Sequence, residues 1–166
     1  MTEHVFWITS RAAGITALLA ASAAVAAGLL VHRRRGLRAV HEALSLATLI
    51  ALAVHALSLL GDGYLRPSLA DVTVPFVSGY HRLWMTTGIV AGWLLVLLGL
   101  SYYVRTRIGV ARWRRLHRYT AVAWVLGIVH ALAMGTDASA LWFIVAASLA
   151  VIPGAALLTR RWVVTT

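Results

Sequence analysis

The sequence contains no cysteine. That excludes disulfides, thiolate-held iron–sulfur clusters and thiolate zinc sites, and it leaves no redox chemistry from which to infer a compartment. Charge is also scarce. Charged residues make up 12% of the chain and only five are acidic, far too little for the surface of a soluble domain of this length. What the chain has instead is apolar: 61% of its 166 residues are hydrophobic, and its mean hydropathy is +0.83. Several uncharged runs approach or exceed the roughly 20 residues that a helix needs to span a bilayer, so the expected fold is an all-α integral membrane bundle. The formal charge of +10 would suggest nucleic acid in a soluble protein. Here the arginines sit in short loops between apolar runs, and the positive-inside rule accounts for them better. No nucleic-acid partner is expected.

Five spans are expected, over about 12–31, 41–60, 83–104, 116–134 and 140–158, forming a single domain over 1–166. The first contains a small-residue patch, Ala21-Ser22-Ala23, but the cluster Arg33, Arg34, Arg35 and Arg38 follows the apolar run, whereas a signal peptide carries its positive charge in front. It reads as a retained helix. Gly61-Asp62-Gly63 ends the second span. The segment 64–81 holds Pro67, Asp71, Pro75 and Gly79 and is too broken to cross; it reads as an external loop with room for a short interfacial helix. Gly88 and Gly92 in the third span allow close backbone approach to another helix, and Pro153 should kink the fifth.

Loops 32–40 and 105–118 and the C-terminal tail carry four, six and two arginines, against Arg11, Arg66 and Arg82 on the other side. Twelve of fifteen therefore mark one face, which should be cytoplasmic, with the N-terminus outside and the C-terminus inside. A multi-pass protein of the cell inner (cytoplasmic) membrane is expected. Trp7, Trp84 and Trp142 would lie near the outer interface, and Trp113, Trp162, Tyr102 and Tyr103 near the inner one.

Seven histidines remain to be placed. His4, His32 and His81 fall in a tail, a basic loop and an external interface, where a solvated or headgroup-level side chain is the ordinary reading. His55 and His130 instead lie in uncharged apolar sequence, where a polar side chain is a functional candidate by default. The stretch 41–55, HEALSLATLIALAVH, carries His41 and His55 fourteen apart; 112–130, RWRRLHRYTAVAWVLGIVH, carries His117 and His130 thirteen apart. Both helices run from inside to outside. They therefore offer an inner pair, His41 with His117, and an outer pair, His55 with His130, about 20 Å apart in a core of about 30 Å. Fourteen residues return to within roughly 40° of the same face, while thirteen miss it by roughly 140°. The fourth helix thus needs an irregular first turn at His117 or a bend near Gly127.

Two facing histidines at one level suit the two axial positions of a haem iron, and occupying both favours electron transfer over oxygen binding. Zinc would want four ligands at one point. A proton relay would want intramembrane acids, for which Glu42 is the only candidate. Haem propionates would find Arg38, Arg114, Arg115 and Arg118 inside and Arg11, Arg66 and Arg82 outside, although topology signal and lipid headgroup contact is the plainer reading of each. Trp124, between the two levels, is placed either to pack between haems or simply to fill the bundle.

The His-x13-His and His-x12-His pattern on alternate helices resembles the ferric reductase-like transmembrane domain. Ser10-Arg11-Ala12-Ala13-Gly14 and Trp113-Arg114-Arg115-Leu116-His117-Arg118 are similar to words in small bacterial members. The resemblance runs from about 10 to 135. It is strongest to the stand-alone haem-binding membrane subunit of the bacterial periplasmic methionine sulfoxide reductase system. Many relatives have six spans against five expected here, and ferric reductases and NADPH oxidases add a cytosolic flavin and nicotinamide domain, of which this chain has no glycine-rich fingerprint.

The resemblance implies an electron-transfer subunit of an oxidoreductase system. It would hold two haems b, coordinated by His41, His117, His55 and His130. Its donor would be a cytosolic flavin reductase or a membrane quinol, so that FMN or a quinone meets it at the cytoplasmic side, and its acceptor an extracytoplasmic redox protein. The alternatives are a quinol-linked dihaem cytochrome resembling the b561 type and a haem-free membrane scaffold or transporter subunit.

Overall fold

The computed structural model of the chain describes residues 4–31, 34 and 36–164. His32, Arg33 and Arg35 of the basic first loop lie outside the described residues, as does the side chain of Trp162. The described residues form helices and loops with no strand. In order these are α1 (Val5–Leu30), α2 (Leu37–Leu60), the short α3 (Leu69–Thr73), α4 (Arg82–Leu100), a 3-10 turn (Ser101–Val104), α5 (Arg105–Ile108), α6 (Val110–His117), α7 (Thr120–Met134) and α8 (Leu141–Val164).

Four of the described helical stretches are long and apolar enough to cross a membrane: Val5–Leu30, Leu37–Leu60, Arg82–Ile108 and Leu141–Arg161. The expected span over 116–134 is split. The chain leaves the helix at Arg118 and Tyr119, so α6 ends at His117 and α7 keeps 15 residues, about 22 Å of helix. The physical reason is composition: α6 sets three arginines against a narrow stripe of Val110, Trp113 and His117, which suits an interface and not the hydrocarbon core. α1 begins seven residues before the expected boundary at 12. Arg11, which marked that boundary, is tolerated inside the helix because both of its forks engage the Asp137 carboxylate and its guanidinium lies 4.9 Å over the Trp7 ring. Pro153 sits within α8 without ending it.

α1, α2, α4 and α7 form a ring in which each packs on the next, and α8 lies outside it against α1. α2 and α7 are thus diagonal, as are α1 and α4. Hydrocarbon gives no hydrophobic drive between helices, so close packing decides which faces meet. α1 is the hub because its buried face is made of small residues: Ser10, Ala17, Ala21, Ser22, Ala24 and Ala27, with Leu18 among them. Leu18 packs with Phe143 and Ala147 of α8, with Ile15 and Ile128 at the rim. Most large apolar side chains, such as Leu57, Leu97 and Leu149, point outward, as lipid contact requires.

One end of the bundle gathers the start of α1, the end of α2, the loop before α4 and the α7–α8 turn. Phe6 fills the place of a side chain at Gly61. The segment around α3, opened by a Ser68–Asp71 capping box, is tied down by the Trp93 indole N–H donating to the Thr73 carbonyl at 2.7 Å and by the Phe76 N–H donating to Thr86 at 2.9 Å.

The Arg11–Asp137 pair is the polar tie between α1 and the α7–α8 turn, and Asp137 is buried. Asp137→Ala should cost about 1.5–3 kcal/mol, the usual worth of hydrogen bonds to a charged group. Arg11→Ala on top of it should cost little more. Thermal melts of the two single variants and the double variant in detergent measure this, and losses that add within about 0.5 kcal/mol would show that the pair is not coupled.

Candidate functional site

His41 stands in the second turn of α2 and His55 near its other end, while His117 closes α6 and His130 lies one turn from the end of α7. Across the diagonal of the ring they meet as two pairs. The His41 and His117 ring centres are 6.1 Å apart with planes at 90°. Those of His55 and His130 are 6.4 Å apart at 75°. All four side chains are half-buried.

The orientation of each ring is set by a neighbouring helix. His55 Nδ1 lies 2.8 Å from the Ser10 carbonyl, His41 Nδ1 2.8 Å from the Ala24 carbonyl, and His130 Nδ1 2.9 Å from the Trp84 carbonyl. A carbonyl only accepts, so Nδ1 carries the proton in each case and Nε2 keeps its lone pair. Ser10 adds a return bond, its hydroxyl donating to the His55 carbonyl at 3.1 Å. The helix carbonyls already serve their own backbone, and each accepts the imidazole as a further donor; the Trp84 carbonyl also accepts from the Thr87 hydroxyl at 2.7 Å.

His117 is held differently. Its Nδ1 is buried beside the Leu98 backbone without a well-formed hydrogen bond, and its ring stacks on Trp113 at 5.0 Å and 27°. Trp113 donates to Ser101 at 3.0 Å and packs on Tyr102. The Tyr102 hydroxyl donates to Glu42 at 3.1 Å and accepts from Arg38 at 3.2 Å, while Arg38 also reaches Glu42 at 3.0 Å. Arg105 lies 4.0 Å over the Tyr102 ring. An aromatic and charged network thus backs the inner pair. The break at Arg118 and Tyr119 resolves the thirteen-residue spacing, since His117 and His130 belong to two helices and not one.

Among the candidate propionate partners, Arg11 is turned to Asp137 and Arg38 to Glu42 and Tyr102. Arg66 donates to the Gly63 carbonyl and Arg82 to the Phe76 carbonyl. Arg114, Arg115 and Arg118 are exposed beside the inner pair. Trp124 is buried on α7, its indole N–H donating to the fully buried Ser22 at 3.0 Å and its ring against Gly154 of α8. It touches α1 and α8. His4 and His81 are exposed; His81 adopts φ 41° beside the Tyr80 ring.

Sequence reasoning missed Ser10, Gly14 and Gly28 as partners of α2. The signal was present: Gly14 and Gly28 are fourteen apart, the same interval as His41 and His55, as expected for two antiparallel helices in register. The glycine pair in α4 also acts otherwise than expected, Gly88 being filled by the His130 ring and Gly92 meeting the Leu52 side chain.

Two imidazoles with free Nε2 lone pairs can share one metal ion from opposite sides. A bond of about 2 Å from each nitrogen puts the ring centres about 6 Å apart, which is the separation in both pairs. Among the described residues no three His, Asp or Glu side chains gather at one point, so a compact multi-ligand metal site is not what this arrangement offers.

A bundle of membrane-length helices that brings two pairs of histidines face to face is the architecture of a multi-pass membrane protein. Residues 13–128 match the family model described as ferric reductase like transmembrane component, and the chain belongs to that family, whose members suggest electron transfer across a membrane. The match takes in His41, His55 and His117 and stops just short of His130. Comparison with curated proteins and with solved structures found no match.

The Trp124–Ser22 bond sits in the middle of the bundle. Ser22→Ala keeps the indole and removes only the hydroxyl that it meets, and should lower stability by about 1–3 kcal/mol, seen as a drop in melting temperature. A loss above about 3 kcal/mol would mean that Ser22 does more than accept from the indole.

Proposed function

We propose that the chain binds two haems b, one at each histidine pair, and conducts electrons across the cell membrane. The observation that carries this reading is the geometry of the two pairs. Both have ring centres at about bis-imidazole distance, and three of the four rings keep Nε2 free by committing Nδ1 to a carbonyl. His41 and His117 would hold the inner haem, His55 and His130 the outer one. The haems would supply reversible one-electron iron chemistry. The residues of this chain hold the rings, and the helices around them exclude water. Arg114, Arg115 and Arg118, exposed near His117, are placed to meet the inner propionates. The outer propionates have Arg66 and Arg82 within the same end of the bundle, with Arg11 shared with Asp137.

In this reading α7 is a fifth crossing helix, its short apolar length completed by α6 at the headgroup level. The arginine-rich end faces the cytoplasm, with the N-terminus outside and the C-terminus inside. The role resembles that of the haem subunit of the bacterial periplasmic methionine sulfoxide reductase system: a stand-alone conductor between a cytosolic flavin reductase and an extracytoplasmic redox protein.

Pyridine haemochrome analysis against protein mass should give two haems per chain. His55→Ala and His130→Ala should each remove the same haem, and His41→Ala and His117→Ala the other. Absence of b-type absorbance in a haem-replete preparation would overturn the reading. The same spectral loss from His55→Ala and His117→Ala would overturn the pairing.

The basic end should attract an acidic donor protein. In inverted vesicles, a flavin reductase with NADH should reduce the haems at a rate that falls as salt rises, and right-side-out vesicles should not respond. Replacing Arg107 and Arg112, exposed at the same end, with glutamine should weaken the salt dependence and leave the spectrum unchanged. Reduction that ignores salt and requires added quinol would replace the flavoprotein donor with a quinol one.

A further inference from the structure

The three hydrogen-bonded histidines share a second feature. Each accepting carbonyl belongs to the residue four positions before a glycine: Ser10 before Gly14, Ala24 before Gly28, Trp84 before Gly88. Each glycine lies under the imidazole. A Cβ at Gly14 would stand 3.0 Å from His55 Nδ1, one at Gly28 3.0 Å from the His41 ring, and one at Gly88 2.5 Å from His130 Nδ1. Glycine is disfavoured inside helices relative to alanine, and these three occur where a ring needs the room. Gly127, also inside α7, has nothing within 4 Å of its Cβ position and serves no ring.

We infer that Gly14, Gly28 and Gly88, each with the carbonyl one turn earlier, are positioning residues that seat three imidazoles in the Nδ1–H tautomer and fix their ring planes. The inference rests on the haem reading above. His117 lacks such a seat. Fourteen residues beyond Trp84 and Gly88 on the chain stand Leu98 and Tyr102; the Leu98 backbone faces His117, but Tyr102 carries a side chain where the other seats have glycine, and His117 Nδ1 makes no well-formed hydrogen bond there. The outer pair is therefore seated on both sides and the inner pair on one. Among metal-bound histidines, a donated Nδ1–H fixes the ring and raises its basicity as a ligand, so the seats set both orientation and electron donation.

The planes stand at 75° and 90° within the pairs, and nearly perpendicular axial imidazoles give a strongly anisotropic low-spin EPR signal. In the oxidised, haem-loaded protein, Gly14→Ala should shift the outer-haem signal to lower anisotropy and leave the inner one, while Gly28→Ala should do the reverse. Gly88→Ala, with the tighter contact, should shift or abolish the outer signal. Gly127→Ala should move neither. Pulsed EPR of the remote ring nitrogens in the unaltered protein needs no variant to fold. It should find three hydrogen-bonded nitrogens and one distinct one, and the distinct one should disappear in His117→Ala. Two-haem Gly14→Ala and Gly28→Ala proteins with unmoved signals, or four equivalent remote nitrogens, would overturn the inference while leaving the haem reading in place. A protein without haem would overturn that reading and this inference together.

Discussion

An imidazole inside a membrane has an N–H that must be satisfied by protein, because hydrocarbon offers no acceptor. The helices around it have already spent their own N–H groups, but each carbonyl oxygen has a second lone pair. Three of the four paired histidines donate to such a carbonyl, at Trp84 alongside the Thr87 hydroxyl, and much of the bundle is arranged to let them reach it. The carbonyl is accessible only where the neighbouring helix presents a small surface, so α1 carries glycine, alanine and serine along its buried face and α4 carries Gly88. Helix spacing, ring orientation and tautomer follow from one requirement.

The two ends of the bundle meet that requirement with different resources. At the end holding His55 and His130, order comes from direct ties: Ser10 to His55, Arg11 to Asp137, Phe6 against Gly61. At the end holding His41 and His117, the helix breaks twice, at the 3-10 turn and at Arg118 and Tyr119. Packing there depends on Trp113, Tyr102, Glu42 and Arg38. Such a cluster is held by stacking and exposed polar bonds, which are weaker than buried ones. It borders the arginines of α5 and α6, so the less constrained end is also the more highly charged one.

Several features were legible because they follow from local chemistry. Membrane-length helices over the first, second, third and fifth spans follow from apolar run length. The grouping of His41 with His117 and His55 with His130 follows from helical rise, and the rings meet in those pairs. Room for a short helix in the segment 64–81 was legible, although the Ser68–Asp71 capping box that opens it was not singled out. The early start of α1 was not legible, because Arg11 marks a boundary until Asp137, 126 residues away, supplies its partner. Nor was the use of Gly88, which fits a backbone contact as readily as a ring.

By itself, then, the sequence determined that this chain is helical and belongs in a membrane, where its charge falls along the chain, and which histidines share a level along the helices. Each of those depends on composition and on distance along one helix. Tertiary structure alone decided that α2 and α7 are diagonal, that α1 is the hub, and which carbonyl each imidazole reaches. It also decided that Trp124 faces Ser22 and α8. In hydrocarbon, apolar periodicity does not single out a buried face, because lipid and protein are equally apolar. Facing is settled only when small residues and hydrogen bonds on different helices find one another.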